Sequence, residues 1–177
     1  YTRTQEFVSE SRLMVVDDFD QDGDIDIAGA GYQGDVVVIE NLGDLLESEG
    51  TRFVYLSPST KKFGAERISV FDADGDSDAD LLIGSGAGVM IYRGAAGVSF
   101  KLDEVQSNSI PDFPVNDVVT LDIDGNGTLE MVVLCQLAAC VNIFTQAVPG
   151  GPFTPLAQAS IPSGRYLDSG DLDGDGK

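Results

Sequence analysis

Four short segments of the chain repeat an acidic pattern in which oxygen-bearing side chains recur at alternate positions. The first segment runs from Asp18 to Asp26 and the second from Asp72 to Asp80, while the third and fourth begin at Asp122 and Asp171. Hard divalent cations such as Ca²⁺ prefer oxygen ligands, and a tight loop can direct alternate side chains at one ion. The pattern therefore predicts a set of calcium-binding loops.

The four loops recur at a nearly constant interval. Their first residues are 18, 72, 122 and 171, so the intervals are 54, 50 and 49 residues. Each period also holds four short apolar runs, which in the first unit are Leu13–Val16, Ile25–Ala30, Asp35–Ile39 and Phe53–Leu56. Short runs rich in Val, Ile and aromatic residues are typical of strands. Four strands in about 50 residues match one blade of a β-propeller, so we predict an all-β fold built from four-stranded antiparallel sheets.

We expect a single repeat region over residues 1–177 rather than separate domains. The pattern predicts three full blades at 11–64, 65–114 and 115–165. Residues 1–10 fit the end of a preceding blade, and residues 166–177 fit the start of a further one. Because propellers close with about 4 to 8 blades, we expect the chain to form part of a larger ring or repeat assembly, completed by further blades of a longer chain or by copies of itself.

The composition limits the function classes. The chain has 30 acidic and 10 basic residues, no histidine and a net charge of −20, which argues against nucleic acid as a partner. Sixteen of the thirty carboxylates lie in the four loops. The lack of histidine excludes Ser-His-Asp and Cys-His catalysis within this chain, so we expect no enzyme activity. No apolar run approaches about 18 residues, so no membrane insertion is expected. The first residues lack the form of a signal peptide, so any targeting segment is expected outside this chain.

The two cysteines lie at a predicted hairpin. Cys135 and Cys140 flank four residues at the place where the first two units have glycine-rich turns. Residues facing each other across a hairpin have Cβ atoms within bridging range, so we predict a disulfide, with two buried thiols as the alternative. A disulfide would indicate an oxidising, extracellular compartment, secreted or at the cell surface.

In its repeats the chain resembles the FG-GAP and VCBS repeat family, the calcium-binding blades of integrin-like β-propellers. The shared features are the D-x-D-x-D-G-x-x-D loop, the apolar strand after it, and small-residue turns such as Gly29–Gly31 and Gly84–Gly88. The resemblance covers nearly the whole chain. It implies side-chain ligands at loop positions 1, 3, 5 and 9 and a backbone carbonyl ligand at position 7.

Carried onto this sequence, the resemblance implies three to four Ca²⁺ sites. In loop one (18–26) the ligands would be Asp18, Asp20, Asp22, Asp26 and the carbonyl of Asp24. In loop two (72–80) they would be Asp72, Asp74, Asp76, Asp80 and the carbonyl of Asp78. In loop three (122–130) they would be Asp122, Asp124, Asn126, Glu130 and the carbonyl of Thr128. Loop four (171–177) offers Asp171, Asp173, Asp175 and the carbonyl of Lys177.

Three departures from the family pattern affect these sites. Loop two has Ser77 at position 6, where the other loops have glycine; if the turn needs a positive φ there, serine is strained by about 1 kcal/mol. Loop three has three carboxylates instead of four, so weaker binding is expected. Loop four lacks its ninth position.

The EF-hand is the main rival interpretation of the loops. It needs a bidentate Glu at position 12 and flanking helices, whereas position 12 is Gly29, Ile83 and Val133, each inside a predicted strand. The ions could also serve only to fold the blades, without any signalling role.

The predicted function is a non-catalytic extracellular module that binds Ca²⁺ and serves adhesion or the binding of a protein or glycan ligand. One alternative is a structural subunit of a calcium-linked surface fibre or appendage. Another is the scaffold part of a polysaccharide-degrading enzyme.

Overall fold

The computed structural model describes residues 11–32, 34–43, 50–56, 64–110, 112–136, 140–161 and 164–170. Within these ranges the chain forms twelve strands and one short helix. The strands are β1 (Ser11–Asp17), β2 (Asp26–Gly31), β3 (Val36–Asn41), β4 (Thr51–Tyr55), β5 (Ala65–Phe71), β6 (Asp80–Ser85), β7 (Gly88–Ala95), β8 (Ser99–Leu102), β9 (Val115–Leu121), β10 (Glu130–Cys135), β11 (Cys140–Gln146) and β12 (Phe153–Ser160), and the helix is α1 (Glu104–Ser109).

The strands form three antiparallel sheets in which neighbours in sequence are neighbours in space. The orders are β1-β2-β3-β4, β5-β6-β7-β8 and β9-β10-β11-β12, and every pairing is antiparallel. The prediction of an all-β fold with four-stranded antiparallel sheets is therefore confirmed. We refer to the sheets as blades one, two and three. The predicted partial blade at 1–10, and loop four at the other end, lie outside the described residues.

The blades stack face to face and share two apolar cores. One core joins blades one and two through residues such as Val38, Leu81 and Tyr92. The other joins blades two and three through residues such as Ile91, Val118 and Phe144. Blade two is covered on both faces, which explains why all six residues of β6 are buried. The continuous apolar runs of the sequence follow from this double covering, since a strand with two buried faces does not alternate.

The innermost strands β1, β5 and β9 lie beside one another, because β5 contacts both β1 and β9. Each is followed directly by an acidic loop, so loops one, two and three connect the first and second strands of their blades. Position 12 of each loop lies in β2, β6 or β10, and both flanking elements are strands. This arrangement excludes an EF-hand at the three described loops.

The outer faces of blades one and three are apolar but open in the part of the chain that the structure describes. Position 2 of the loop is buried in blades one and two, as Phe19 and Ala73, but Ile123 of blade three is 40% exposed. Met14 of blade one is 67% exposed, whereas Ile68, in the same register of blade two, is buried. Blades one and three thus each carry apolar residues on the face that no described blade covers. None of the helices described is long and apolar enough to cross a membrane.

Candidate metal centre

Three clusters of carboxylates form at the acidic loops. Among the described residues, oxygens of each of the following sets lie within 4.8 Å of one another: Asp18, Asp20 and Asp22; Asp72, Asp74 and Asp80; Asp122, Asp124 and Glu130. Because Ca²⁺–O distances are 2.3–2.6 Å, oxygens on opposite sides of one ion are about 5 Å apart. Each cluster is therefore compact enough to surround a single ion.

The first carboxylate of each loop organises the turn. In loop three, Asp122 Oδ1 accepts hydrogen bonds from the amides of Gly125 and Asn126 at 2.8 and 3.1 Å, and its Oδ2 accepts one from Gly127 at 2.8 Å. The amide of Gly127 is the main cause that lowers the pKa of Asp122. Asp18 and Asp72 accept amide hydrogen bonds from their own loops in the same way. The turn is therefore held in shape by the carboxylate at position 1.

Positions 4 and 6 of the loops have a positive φ. Glycine occupies both positions in loop three, but Gln21 at position 4 of loop one has φ 61° and Ser77 at position 6 of loop two has φ 73°. The expected strain at Ser77 is thus borne out by its conformation. These two non-glycine residues also contact each other. Gln21 Nε2 donates hydrogen bonds to the carbonyl of Ser77 at 3.1 Å and to Asp78 Oδ1 at 2.9 Å. This contact joins loop one to loop two.

The carboxylate at position 9 is buried and connects the loop to the third strand of its blade through hydrogen bonds. Asp26 accepts from the amides of Phe19 at 3.0 Å and Asn41 at 2.7 Å. Asp80 accepts from the amides of Ala73 and Gly94, both at 2.7 Å. Burial raises the pKa of Asp80 to about 6, against the lowering effect of these amides.

Loop three makes the same connection with a different group. Glu130 Oε2 accepts from the amide of Ile123, and its Oε1 accepts from the hydroxyl of Thr145 on β11, each at 3.0 Å. The longer side chain of Glu130 thus reaches a side-chain donor where the aspartates reach a backbone amide.

One residue on the third strand differs between the three sites. The equivalent position in the three blades is occupied by Glu40, Arg93 and Thr145. Each comes one residue after Ile39, Tyr92 or Phe144, and these three residues pair with the second strand of their blades. Glu40 pairs with Arg52; burial raises its pKa, and the nearby carboxylate of Asp20 raises it further. The residue at this place is therefore acidic in blade one, basic in blade two and neutral in blade three.

In loop two, the residue at this place, Arg93, contacts the carboxylate cluster directly. Arg93 Nη1 lies 2.9 Å from Asp74 Oδ2 and 3.3 Å from Asp80 Oδ2, and its Nε lies 3.1 Å from Asp103 Oδ2. The side chain of Arg93 is only 15% exposed. Sequence analysis missed this residue, although its place after the run Val89–Tyr92 matches that of Glu40 and Thr145 in their own blades.

The donor sets of loops one and three fit Ca²⁺, since they consist of carboxylate and amide oxygens and no cation among the described residues forms an ion pair with them. Loop two has the carboxylates but also holds Arg93 against them. The compact groups do not contain every predicted ligand: Asp26 is not part of the group of loop one, nor Asp76 of that of loop two. Both still lie near their loop's carboxylates, because Asp76 hydrogen-bonds Asp74 and the charges of Asp20 and Asp22 act on Asp26. Position 5 also accepts the amide of position 7, as Asp22 does from Asp24, Asp76 from Asp78 and Asn126 from Thr128. Loop four, with Asp171, Asp173, Asp175 and Lys177, lies outside the described residues.

Cys135 and Cys140 are both buried and both free, so the structure does not contain the predicted disulfide. They do lie next to each other, because Asn142 Nδ2 contacts Cys135 Sγ at 2.9 Å and Cys140 Sγ at 3.5 Å. Burial, followed by the neighbouring Cys140, raises the pKa of Cys135 to about 12. The hairpin therefore holds two buried thiols side by side.

A cavity of about 950 Å³ lies at the other end of the innermost strands from the loops. Each of these strands has a bulge near its start, and the extra residues are Arg12, Glu66 and Asn116. All three line the cavity, together with Gln136, Arg165 and Tyr166. Because bulges redirect a side chain, the repeat points one polar residue per blade into the same space.

Three adjoining four-stranded antiparallel sheets, each with an acidic loop after its innermost strand, define a repeat protein of the β-propeller type. Residues 18–83 match the family described as FG-GAP-like repeat. This region includes loops one and two and the strands between them, and the match supports an FG-GAP-like repeat in this part of the chain. No curated protein matches the chain significantly.

Replacing Asp26 by Ala is expected to destabilise the protein even without calcium. The amides of Phe19 and Asn41 would lose their acceptor in a buried place, which costs about 1–3 kcal/mol for each unsatisfied group. Urea unfolding in the presence of a chelator measures this change. Asp24→Ala is the matched control, since Asp24 is exposed; an equal loss in both variants would contradict the role of Asp26.

Replacing Ser77 by Gly is expected to stabilise the protein by about 1 kcal/mol, because glycine adopts a positive φ without strain. The contact from Gln21 uses the backbone carbonyl of residue 77, so the substitution leaves this acceptor in place. Thermal unfolding of the calcium-free chain measures the effect. A lower melting temperature for Ser77→Gly would show that the serine is not strained.

Proposed function

We propose that this chain is a non-catalytic, extracellular propeller module that binds Ca²⁺ through its acidic loops and binds a protein or glycan ligand. The observation that carries the calcium proposal is the gathering of three carboxylates within 4.8 Å at each of three equivalent loops. Two further facts support the setting: FG-GAP-like repeats are generally found in extracellular proteins, and extracellular modules bind Ca²⁺ at about 10⁻⁴–10⁻³ M.

Calcium would act on the loops by neutralising carboxylates that otherwise repel one another. Asp18, Asp20 and Asp22 would hold the ion in loop one, and Asp122, Asp124 and Glu130 would hold it in loop three. Bound Ca²⁺ supplies positive charge and fixes the positions of these oxygens. Since each loop joins the first and second strands and is fastened to the third, fixing the loop stabilises the whole blade.

We place the ligand site in the cavity lined by Arg12, Glu66, Asn116 and Arg165. Arg12 stacks on Tyr32, with its guanidinium carbon 5.0 Å from the ring centroid, which orients the side chain. Two arginines in one cavity are notable in a chain of net charge −20. They favour a ligand with carboxylate or sulfate groups, and an acidic glycan has this chemistry.

The fibre-subunit alternative is supported by the open apolar faces of blades one and three, at Met14 and Ile123. Such faces would accept further blades of a longer chain or blades of another copy. The alternative of a scaffold in a polysaccharide-degrading enzyme stays a prediction, which no observation on the described residues favours.

Titration of the metal-free chain with Ca²⁺ is expected to show saturable binding and a higher melting temperature. A ten-fold excess over Kd adds about 1.4 kcal/mol per site, and calorimetry gives the number of sites. Asp122→Ala should reduce that number by one, since it removes the first ligand of loop three. Absence of binding at 10-fold the highest expected Kd, about 10⁻² M, would contradict the calcium proposal.

The double variant Arg12→Ala with Arg165→Ala is expected to weaken binding of an acidic oligosaccharide about ten-fold, since each exposed ion pair contributes up to about 1 kcal/mol. Binding of biotinylated acidic glycans to the immobilised, calcium-loaded chain measures the effect. Lys101→Ala is the control, because Lys101 is exposed and lies outside the cavity. Equal weakening in the control would indicate a general charge effect instead of a site.

A further inference from the structure

We propose that Arg93 takes the place of calcium in loop two, so that this loop closes without a metal ion while loops one and three bind Ca²⁺. The inference rests on the proposed calcium binding of the repeat and adds that the sites differ through a single residue on the third strand. Arg93 is thus a specificity-determining residue of the repeat.

Arg93 contacts the carboxylate cluster of loop two directly. Arg93 Nη1 is within hydrogen-bond distance of Asp74 and Asp80, which are two of the three carboxylates that form the cluster of loop two. An ion shared by these oxygens would need the space between them, and the guanidinium group fills it. A guanidinium is always charged in proteins and pairs well with carboxylates, so it offsets part of the negative charge of the cluster at any pH.

Arg93 is also held in place from other sides. Asp103 binds its Nε at 3.1 Å, which fixes the fork of the guanidinium. The turn after β11 covers the loop, because the amide of Gly150 donates to the carbonyl of Ala73 at 3.0 Å. A Cβ atom on Gly150 would lie only 2.9 Å from Asp74 Cβ and 3.6 Å from Arg93 Nη2. Arg93 is therefore enclosed between its own blade and blade three.

The three blades differ at the place of Arg93. Loop one has the acidic Glu40 there, near Asp20 and paired with Arg52, and loop three has the neutral Thr145, which donates to Glu130. The backbone pairing is the same in the three blades. The repeat thus offers a natural control: the same loop with an acidic, a basic and a neutral neighbour.

The first experiment removes the position-1 ligand of each loop and counts calcium ions by calorimetry. Asp18→Ala and Asp122→Ala should each reduce the number of bound Ca²⁺ by one relative to the unchanged chain. Asp72→Ala removes no group that Arg93 contacts and should leave the number unchanged. Differences are compared, because loop four lies outside the described residues. A loss of one ion in Asp72→Ala would overturn the proposal.

The second experiment exchanges the residue on the third strand. Arg93→Thr should add one Ca²⁺ to the unchanged chain, and Thr145→Arg should remove one, while Arg93→Lys should bind as the unchanged chain does. Without calcium Arg93→Thr should melt at a lower temperature, and Ca²⁺ should restore more of this loss than it adds to the unchanged chain. If Arg93 had only a structural role, calcium would not restore the lost stability.

The two proposals fail in different ways. If the unchanged chain and every variant bind no Ca²⁺, the calcium function itself is wrong. If the unchanged chain binds Ca²⁺ but Arg93→Thr and Thr145→Arg leave the number of ions unchanged, only the role of Arg93 is wrong. Should Arg93→Thr fail to fold in calcium, Thr145→Arg and Asp72→Ala still decide the question.

Discussion

The buried carboxylate at the ninth position of each acidic loop is the interaction on which the blades depend. Asp26, Asp80 and Glu130 each accept one hydrogen bond from the amide of loop position 2 and another from the third strand of the blade. A buried charge is tolerated only where it is paired or fully hydrogen-bonded. Moving the strand away from the loop would remove one of these hydrogen bonds, so the two segments remain in contact. The exposed carboxylates of the loop are positioned by this buried attachment.

The excess of acidic residues creates the second constraint, because clustered carboxylates repel one another and need positive charge. In loop two, Arg93 of the same blade supplies positive charge. In the part of the chain that the structure describes, no cation pairs with loops one and three, and their oxygen clusters have the size that Ca²⁺ accepts. The repeat keeps its backbone and changes one position on the third strand. If calcium binds as proposed, a single blade design gives both metal-dependent and metal-independent loops.

Much of the fold and part of the site could be predicted from the sequence. The interval near 50 residues and the four apolar runs per interval led to the four-stranded sheets, because strand formation depends on local pattern and on turn residues. The prediction that position 12 of the loops (Gly29, Ile83 and Val133) lies in strands correctly excluded an EF-hand. The strain at Ser77 was also predictable, since loops one and three have glycine there and the structure gives Ser77 a φ of 73°. These features are local, so a linear sequence contains them.

Contacts between blades are long-range, and only the tertiary structure decided them. Nothing near Gln21 in the sequence indicates that it donates to loop two, 56 residues away. The shared cavity arises because three bulges in separate blades point Arg12, Glu66 and Asn116 to one place. The sequence by itself determined the repeat, the strands and the acidic loops, through the periodicity of apolar and acidic residues. The packing of the blades decided which charges face each loop, because electrostatic partners are set by distance in space.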